Sequence, residues 1–300
     1  MTDLAEAPAR TRYVETTLPY IDKAYGPTII YEYKREATTH HYDPRPVRIH
    51  DARAEPDLAL ERNGFMLVEH RSAVTDFRDA DQIKRVYYPE AERLVARLTG
   101  AEKVLVFGDV LRSDDPARQP LIPPKPGAMG DQVFSDSARG NGDTPPLQVH
   151  EPARNPHIDF NEKTVRRLAA AMLGADAGKY ATKRVSLINL WRGIRTVERA
   201  PLAVCDARTV SQDDLVQGLI GTRPEDPGDF LEGFNVAYNP AHRWYYYPRM
   251  KPDELLVFRL CDSDASRPQL TAHSSFEDSS SQPDAPPRLS FEIRTIAFFA

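Results

Sequence analysis

From residue 185 to the C-terminus the sequence is a succession of short apolar segments cut by Pro, Gly and Asp. Residues 185–192 (VSLINLWR), 201–206 (PLAVCD), 235–238, 243–247 (RWYYY), 254–260 (ELLVFRL), 271–274 and 289–299 (LSFEIRTIAFF) read as strands. Short strands at this spacing restrict the second half of the chain to a β-sandwich or barrel. Regular strand–helix alternation and a Gly-x-Gly-x-x-Gly run are both missing, which argues against a dinucleotide-binding fold.

The first half mixes elements. Residues 1–27 are polar and expected to be irregular, with Tyr13 and Tyr20 able to pack on the body. Strands are expected at 28–33 (TIIYEY), 47–50 (VRIH), 64–70 (GFMLVEH) and 103–107 (KVLVF), and helices at 79–87, 89–98 and 161–172. In the second helix Pro89 suits the first turn, and Ala91, Leu94, Val95 and Leu98 fall on one face. Val165, Leu168, Ala169 and Met172 do the same in the third. Residues 113–146 turn to Pro, Gly, Asp and Ser and read as a long loop, either a lid or a disordered insertion. The expectation is one domain spanning residues 1–300: mainly β with flanking helices (α+β), the first half buttressing a barrel built largely from the second.

A net charge of -5 and a pI near 5.9 argue against broad affinity for nucleic acid or anionic membrane. No apolar run reaches the roughly 18–20 residues of a membrane span. MTDLAEAPARTRY at the N-terminus lacks the apolar core of a signal peptide. Cys205 and Cys261, both in apolar contexts, read as reduced thiols. A cytoplasmic protein is expected.

Two His-x-Asp triplets occur. His41-Tyr42-Asp43 sits among prolines 44 and 46 and reads as a surface turn. His157-Ile158-Asp159 follows Pro156, which favours extended backbone, and on a strand residues i and i+2 face the same way. With a second imidazole from a distant strand, the pair would complete the 2-His-1-carboxylate triad of non-heme Fe(II) oxygenases, which leaves positions open for substrate and O₂. His273, on an expected strand near the C-terminus, is the candidate for that imidazole, with His150 and Glu151, which read as surface residues at the loop end, as rival ligands. Arg288 and Ser290 then open the last strong strand on one face, where a guanidinium and a hydroxyl would clamp a carboxylate. A dicarboxylate such as 2-oxoglutarate could chelate the metal at one end and place its far carboxylate there. Arg294 shares that face and is the alternative anchor.

Several stretches carry a resemblance: Tyr87-Tyr88-Pro89-Glu90-Ala91, NLWRGIR from Asn189, PLAVCDART from Pro201, HRWYYYPRM from His242, DELLVFRLCDS from Asp253, LTAHSSFED from Leu270 and RLSFEIRTIAFF from Arg288. Together they resemble the AsaB-like hydroxylase/desaturase family. The resemblance implies a double-stranded β-helix (a jelly-roll, cupin-like barrel). It also implies an Fe(II)/2-oxoglutarate-dependent dioxygenase using O₂, with His157, Asp159 and His273 as metal ligands. The chain departs from the family at Gly193, where a Pro is usual, and in the longer, more polar 113–146 segment; both bear on the substrate pocket rather than the metal.

The expected function is an oxygenase of specialised metabolism acting on a small molecule by hydroxylation, desaturation or oxidative cyclisation. The alternative is a catalytically silent accessory partner of another biosynthetic oxygenase, and a homodimer is left open. Asn189 is a candidate hydrogen-bond partner of 2-oxoglutarate. Substrate-side candidates are Tyr246, His242, Arg192, Trp191, Ile296 and Phe298, with plain packing the default for Tyr246, Ile296 and Phe298.

Overall fold

A computed structural model describes residues 13–31, 35–115, 117, 149–221, 224–225 and 230–300. Two sheets form its framework. The first has nine strands in the spatial order β1 (Tyr13–Ile21), β3 (Tyr42–Asp51), β12 (Trp244–Tyr246), β9 (Leu202–Cys205), β14 (His273–Ser275), β7 (His157–Ile158), β11 (Leu231–Val236), β10 (Leu215–Gly221) and β2 (Thr28–Tyr31). The second has six: β4 (Phe65–Glu69), β13 (Glu254–Asp262), β8 (Val185–Gly193), β15 (Leu289–Phe298), β5 (Lys103–Ser113) and β6 (Val149–His150).

Side-chain alternation divides the second sheet cleanly. Leu187, Trp191, Phe258, Ile296 and Phe298 face inward and share one core with Ile158, Ala203 and Trp244 of the first sheet. Ile188, Leu190, Val257, Phe291 and Ile293 face outward onto Ala91, Leu94 and Val95 of the helix Tyr88–Thr99. The stripe read from the sequence is therefore the buried face of that helix. A second helix, Glu162–Leu173, is capped by the Asn161 side chain, which accepts from the Thr164 amide at 3.0 Å. Its Val165, Leu168 and Ala169 join the inner core. The result is the expected class, mainly β with flanking helices, the two curled sheets closing into a jelly-roll-like barrel.

Several local expectations are corrected. Residues 13–21 are not irregular: they form β1, paired antiparallel with residues 42–50 of β3. Its inward positions hold Val14, Leu18 and Tyr20, and the polar Thr16, on the same face between Val14 and Leu18, breaks the apolar alternation. His41-Tyr42-Asp43 is not a turn but the entry to β3. Pro44 and Pro46 are tolerated because β12 pairs only with residues 49–51 of β3, so nothing on that side calls for the missing N–H. Met172 is 45% exposed rather than buried with its helix face. Residues 83–87 make a π-helical turn between Ala80–Gln82 and Tyr88–Thr99. β10 was not expected, β11 begins earlier than 235, and β5 runs on to Ser113. The 113–146 loop lies, apart from residues 113–115 and 117, outside the described residues. Among the described residues no helix is long and apolar enough to cross a membrane. Cys205 and Cys261 are buried free thiols.

Candidate active site

β7 is only two residues long, but it lies between β14 and β11, and its His157 is directly paired with His273 of β14. Antiparallel pairing thus brings together two histidines that are remote in sequence. Their rings stand 4.2 Å apart between centroids. Asp159 follows the end of β7, where Gly233 of β11 makes room for it. A Cβ on Gly233 would lie 2.0 Å from the Asp159 carbonyl oxygen and 2.6 Å from that of Ile158.

The three side chains converge. One ligand atom from each of His157, Asp159 and His273 lies within 4.8 Å of the others. Oδ1 of Asp159 is 3.5 Å from Nε2 of His157 and 3.9 Å from Nε2 of His273. The His157 Nδ1 is engaged at 2.8 Å with the Asn155 carbonyl, which fixes the ring with Nε2 turned to the carboxylate. Burial, together with the neighbouring His157, pushes His273 down to about 3, so it is a neutral imidazole at neutral pH. Burial disfavours charge on Asp159, but Arg294 and the two imidazoles outweigh it and hold the carboxyl well below the usual range.

The other oxygen of Asp159 is occupied. Oδ2 accepts from Asn189 Nδ2 and from Arg294 Nε, each at 2.9 Å. Asn189 and Arg294 are cross-strand neighbours on β8 and β15. Both also reach Glu292, at 3.1 and 3.2 Å, so two carboxylates are held by one amide and one guanidinium. This leaves Oδ1 alone facing the histidines. Two imidazoles and one anionic oxygen, with open space beside them, fit a divalent iron.

Arg288 is placed differently from Arg294. It is 2% exposed, and among the described residues no carboxylate lies within ion-pair distance of its guanidinium. Nη1 donates to the Ala200 carbonyl at 2.6 Å and to Ser275 Oγ at 3.1 Å. Ala200 is held at φ 47, a left-handed conformation that is uncommon for alanine and directs its carbonyl to both Arg288 and Ser275. Among the described residues, Nε of Arg288 and Oγ of Ser290 are buried without hydrogen-bond partners. Burial, with Arg112 nearby, pushes Arg288 down to about 9, still charged at neutral pH. A buried cation beside an orphaned hydroxyl is a cradle for an anion, and Ser275, two residues beyond His273, ties it to the strand that carries the second histidine.

A cavity of about 300 Å³ opens on His157, Asp159 and Arg294 and runs along the inner side of β2, β10 and β11. The substrate-side candidates do not gather there. Trp191 lies inward, with the Arg288 guanidinium 5.6 Å from its ring. Arg192, its neighbour, is on the opposite face: it donates to the His70 carbonyl at 2.9 Å and stacks near Phe77 and Tyr87 under the helical layer. His242 is buried between Tyr20 and Asp214, with its ring nitrogens 3.2 Å from each. Tyr246 packs edge-on against Phe276 and lines a separate cleft with Tyr13 and Val197. Ile296 and Phe298 are core, Phe298 against Tyr180. Asn189 spends its donors on Asp159 and Glu292. The sequence reading missed Glu292, Gly233 and the cavity residues Thr28, His40, Asn155 and Asn235. Only Glu292 left a trace, as an acid on the inward face of β15 between Ser290 and Arg294.

Known proteins agree with this architecture. A family model described as an oxidoreductase/YMDC permease-like domain matches residues 18–298. The hydroxylase/desaturase efuI of Hormonema carpetanum is 32% identical over 86% of this chain and 85% of its own. The alpha-ketoglutarate-dependent dioxygenase phiK of a fungal species (strain ATCC 74256) is 31% identical over 86% of this chain and 85% of its own. The solved structure of the iron and alpha-ketoglutarate-dependent endoperoxidase NvfI superposes with a TM-score of 0.76 at 25% identity, covering 97% of this chain and 100% of that one. The chain belongs to the hydroxylase/desaturase family of Fe(II)/2-oxoglutarate-dependent dioxygenases that these relatives represent.

Proposed function

We propose that the protein is an Fe(II)/2-oxoglutarate-dependent oxygenase that hydroxylates, desaturates or oxidatively cyclises a small molecule of specialised metabolism. The carrying observation is the division of labour on Asp159: one oxygen is saturated by Asn189 and Arg294, the other faces two imidazoles. His157, Asp159 and His273 would hold Fe(II), and Arg288 with Ser290 would take the far carboxylate of 2-oxoglutarate. Arg294, already engaged by Asp159 and Glu292, is the weaker anchor. Bound iron and 2-oxoglutarate together supply activation of O₂ and oxidation of a C–H bond, chemistry no side chain provides. The protein's own share is to hold the His273 imidazole neutral, to keep one carboxylate oxygen on the metal side, and to enclose the substrate beside them. A silent accessory role gives no anion to the buried Arg288 guanidinium, whose Nε has no partner among the described residues.

Anaerobic addition of Fe(II) and then 2-oxoglutarate tests this. The expected result is a visible charge-transfer band that needs both and is lost in His157→Ala. No band at saturating concentrations of both would overturn the reading.

A further inference from the structure

Arg288 is held in place by a carboxylate that does not touch its guanidinium. Asp114 follows the end of β5, next to the paired residues Ser113 and Leu289, and its side chain is 6% exposed. Oδ1 accepts from the Arg288 backbone N–H at 2.5 Å, and Oδ2 accepts from Arg199 Nε at 2.6 Å. Arg199 also donates through Nη2 to the Asp114 carbonyl at 3.4 Å.

These bonds close a circuit. Arg199 precedes Ala200, whose carbonyl accepts from Arg288 Nη1 at 2.6 Å and from Ser275 Oγ at 3.1 Å. Asp114 therefore grips Arg288 at both ends, the backbone directly and the guanidinium through Arg199 and the Ala200 carbonyl. The left-handed backbone at Ala200, φ 47, is one that alanine resists, so neighbours must hold it. On one side the Arg199–Asp114 ion pair does so; on the other, Ser281 Oγ donates to the Glu198 carbonyl at 2.9 Å. The circuit engages Nη1 of Arg288 and leaves Nε, like Ser290 Oγ, buried without a hydrogen-bond partner among the described residues. The same carboxylate acts on charge: burial and then Arg112 disfavour the charged form of Arg288, and Asp114 works in the opposite sense.

We propose, resting on the reading of Arg288 as the 2-oxoglutarate anchor, that Asp114 and Arg199 are positioning residues that set 2-oxoglutarate affinity without touching it. They fix the Arg288 backbone and the Ala200 carbonyl, so that Nη1 is engaged and Nε is presented to the incoming carboxylate.

The test is calorimetric titration of the Mn(II)-loaded full-length protein with 2-oxoglutarate, Mn(II) affinity being measured separately. Asp114→Ala should raise the 2-oxoglutarate Kd about tenfold, the effect of losing one charge-assisted hydrogen bond, and leave Mn(II) affinity as in the wild type. Asp114→Asn, which keeps an acceptor for the Arg288 N–H, should recover part of the loss. Arg199→Met changes a residue 35% exposed, which the fold tolerates, and should raise the Kd in the same direction. In an Arg288→Met background Asp114→Ala should change the Kd by less than about twofold, because its effect passes through that guanidinium, whereas general loosening would weaken both backgrounds alike. A wild-type Kd in both Asp114→Ala and Arg199→Met, or an equal loss with and without Arg288, overturns the proposal. Solvent exchange of the Arg288 Nε–H, followed by NMR without 2-oxoglutarate, separates the two readings. It should be faster in Asp114→Ala, and unaltered exchange counts against the hold on Arg288. Faster exchange in a protein that binds no 2-oxoglutarate would sink the oxygenase reading and leave that hold standing.

Discussion

Asn189 donates to Oδ2 of Asp159 across the barrel, from the middle strand of one sheet to the end of the shortest strand-bearing segment of the other. This bond, with that of Arg294, decides which carboxylate oxygen is left for a metal. Asn189→Ala should therefore lower Fe(II) affinity by about 10- to 100-fold, the usual effect of losing a partner of a metal ligand, while the fold persists. Anaerobic Fe(II) titration measures it. Affinity equal to wild type would show that Asp159 is oriented by Arg294 alone.

Arg288 carries a buried charge with no carboxylate at ion-pair distance among the described residues, a cost to the free protein. Arg288→Met should remove that cost and raise the urea midpoint of the ligand-free protein. The same change should weaken 2-oxoglutarate binding about 30-fold, equivalent to losing ~2 kcal/mol of charge-assisted hydrogen bonding. Calorimetric titration of wild type and variant with 2-oxoglutarate checks this. If Arg294→Met weakens binding instead, the carboxylate sits elsewhere.

Gly233→Ala places a methyl group against two carbonyl oxygens of the metal-ligand segment. The backbone at 158–159 must then move, so the expected loss is greater in iron binding than in stability. Overpacking costs about 1–3 kcal/mol, while Fe(II) affinity should fall more than tenfold. Paired urea and Fe(II) titrations separate the two, and a variant with normal Fe(II) affinity would show that the segment has slack.

His242 tests a different kind of histidine. Burial lowers its pKa from the usual 6.5, although Asp214 beside it pulls the other way. Below pH 6.5 the unfolded chain takes up a proton that the folded one resists, so stability falls as pH falls through that region. His242→Phe keeps the stacking on Tyr20 and should flatten the dependence of unfolding free energy on pH between 6.5 and 5. It should leave substrate KM unchanged, because the residue is not on the cavity. An unaltered slope or a raised KM would refute this placement.

The metal ligands were legible because strand periodicity puts i and i+2 on one side and the C-terminal strands announce themselves by composition. Parity alone also separates Arg192 from Asn189 and Trp191, and the structure shows that separation to be real. What was not legible depends on register between remote strands. Nothing local says that Gly233 lies beneath Asp159, that Asn235 pairs with His157, or that His40 reaches the same cavity. Two strands were hidden for simple reasons: β1 has the polar Thr16 on its inward face between Val14 and Leu18, and β10 has Gly218 where an inward side chain would have completed the pattern. In β3 the prolines were read as marking a turn, not as sitting in a strand where no donor is needed. Arg288 and Arg294 looked equivalent on one strand face, and only their partners distinguish them.

The most direct measurement is a crystal structure of the protein with Mn(II), as a redox-inert stand-in for Fe(II), and 2-oxoglutarate. The account predicts an anomalous peak bonded to Nε2 of His157, Oδ1 of Asp159 and Nε2 of His273, with the far carboxylate on Arg288 and Ser290. A peak away from these three atoms, or a dicarboxylate that leaves Arg288 unpaired, would contradict it.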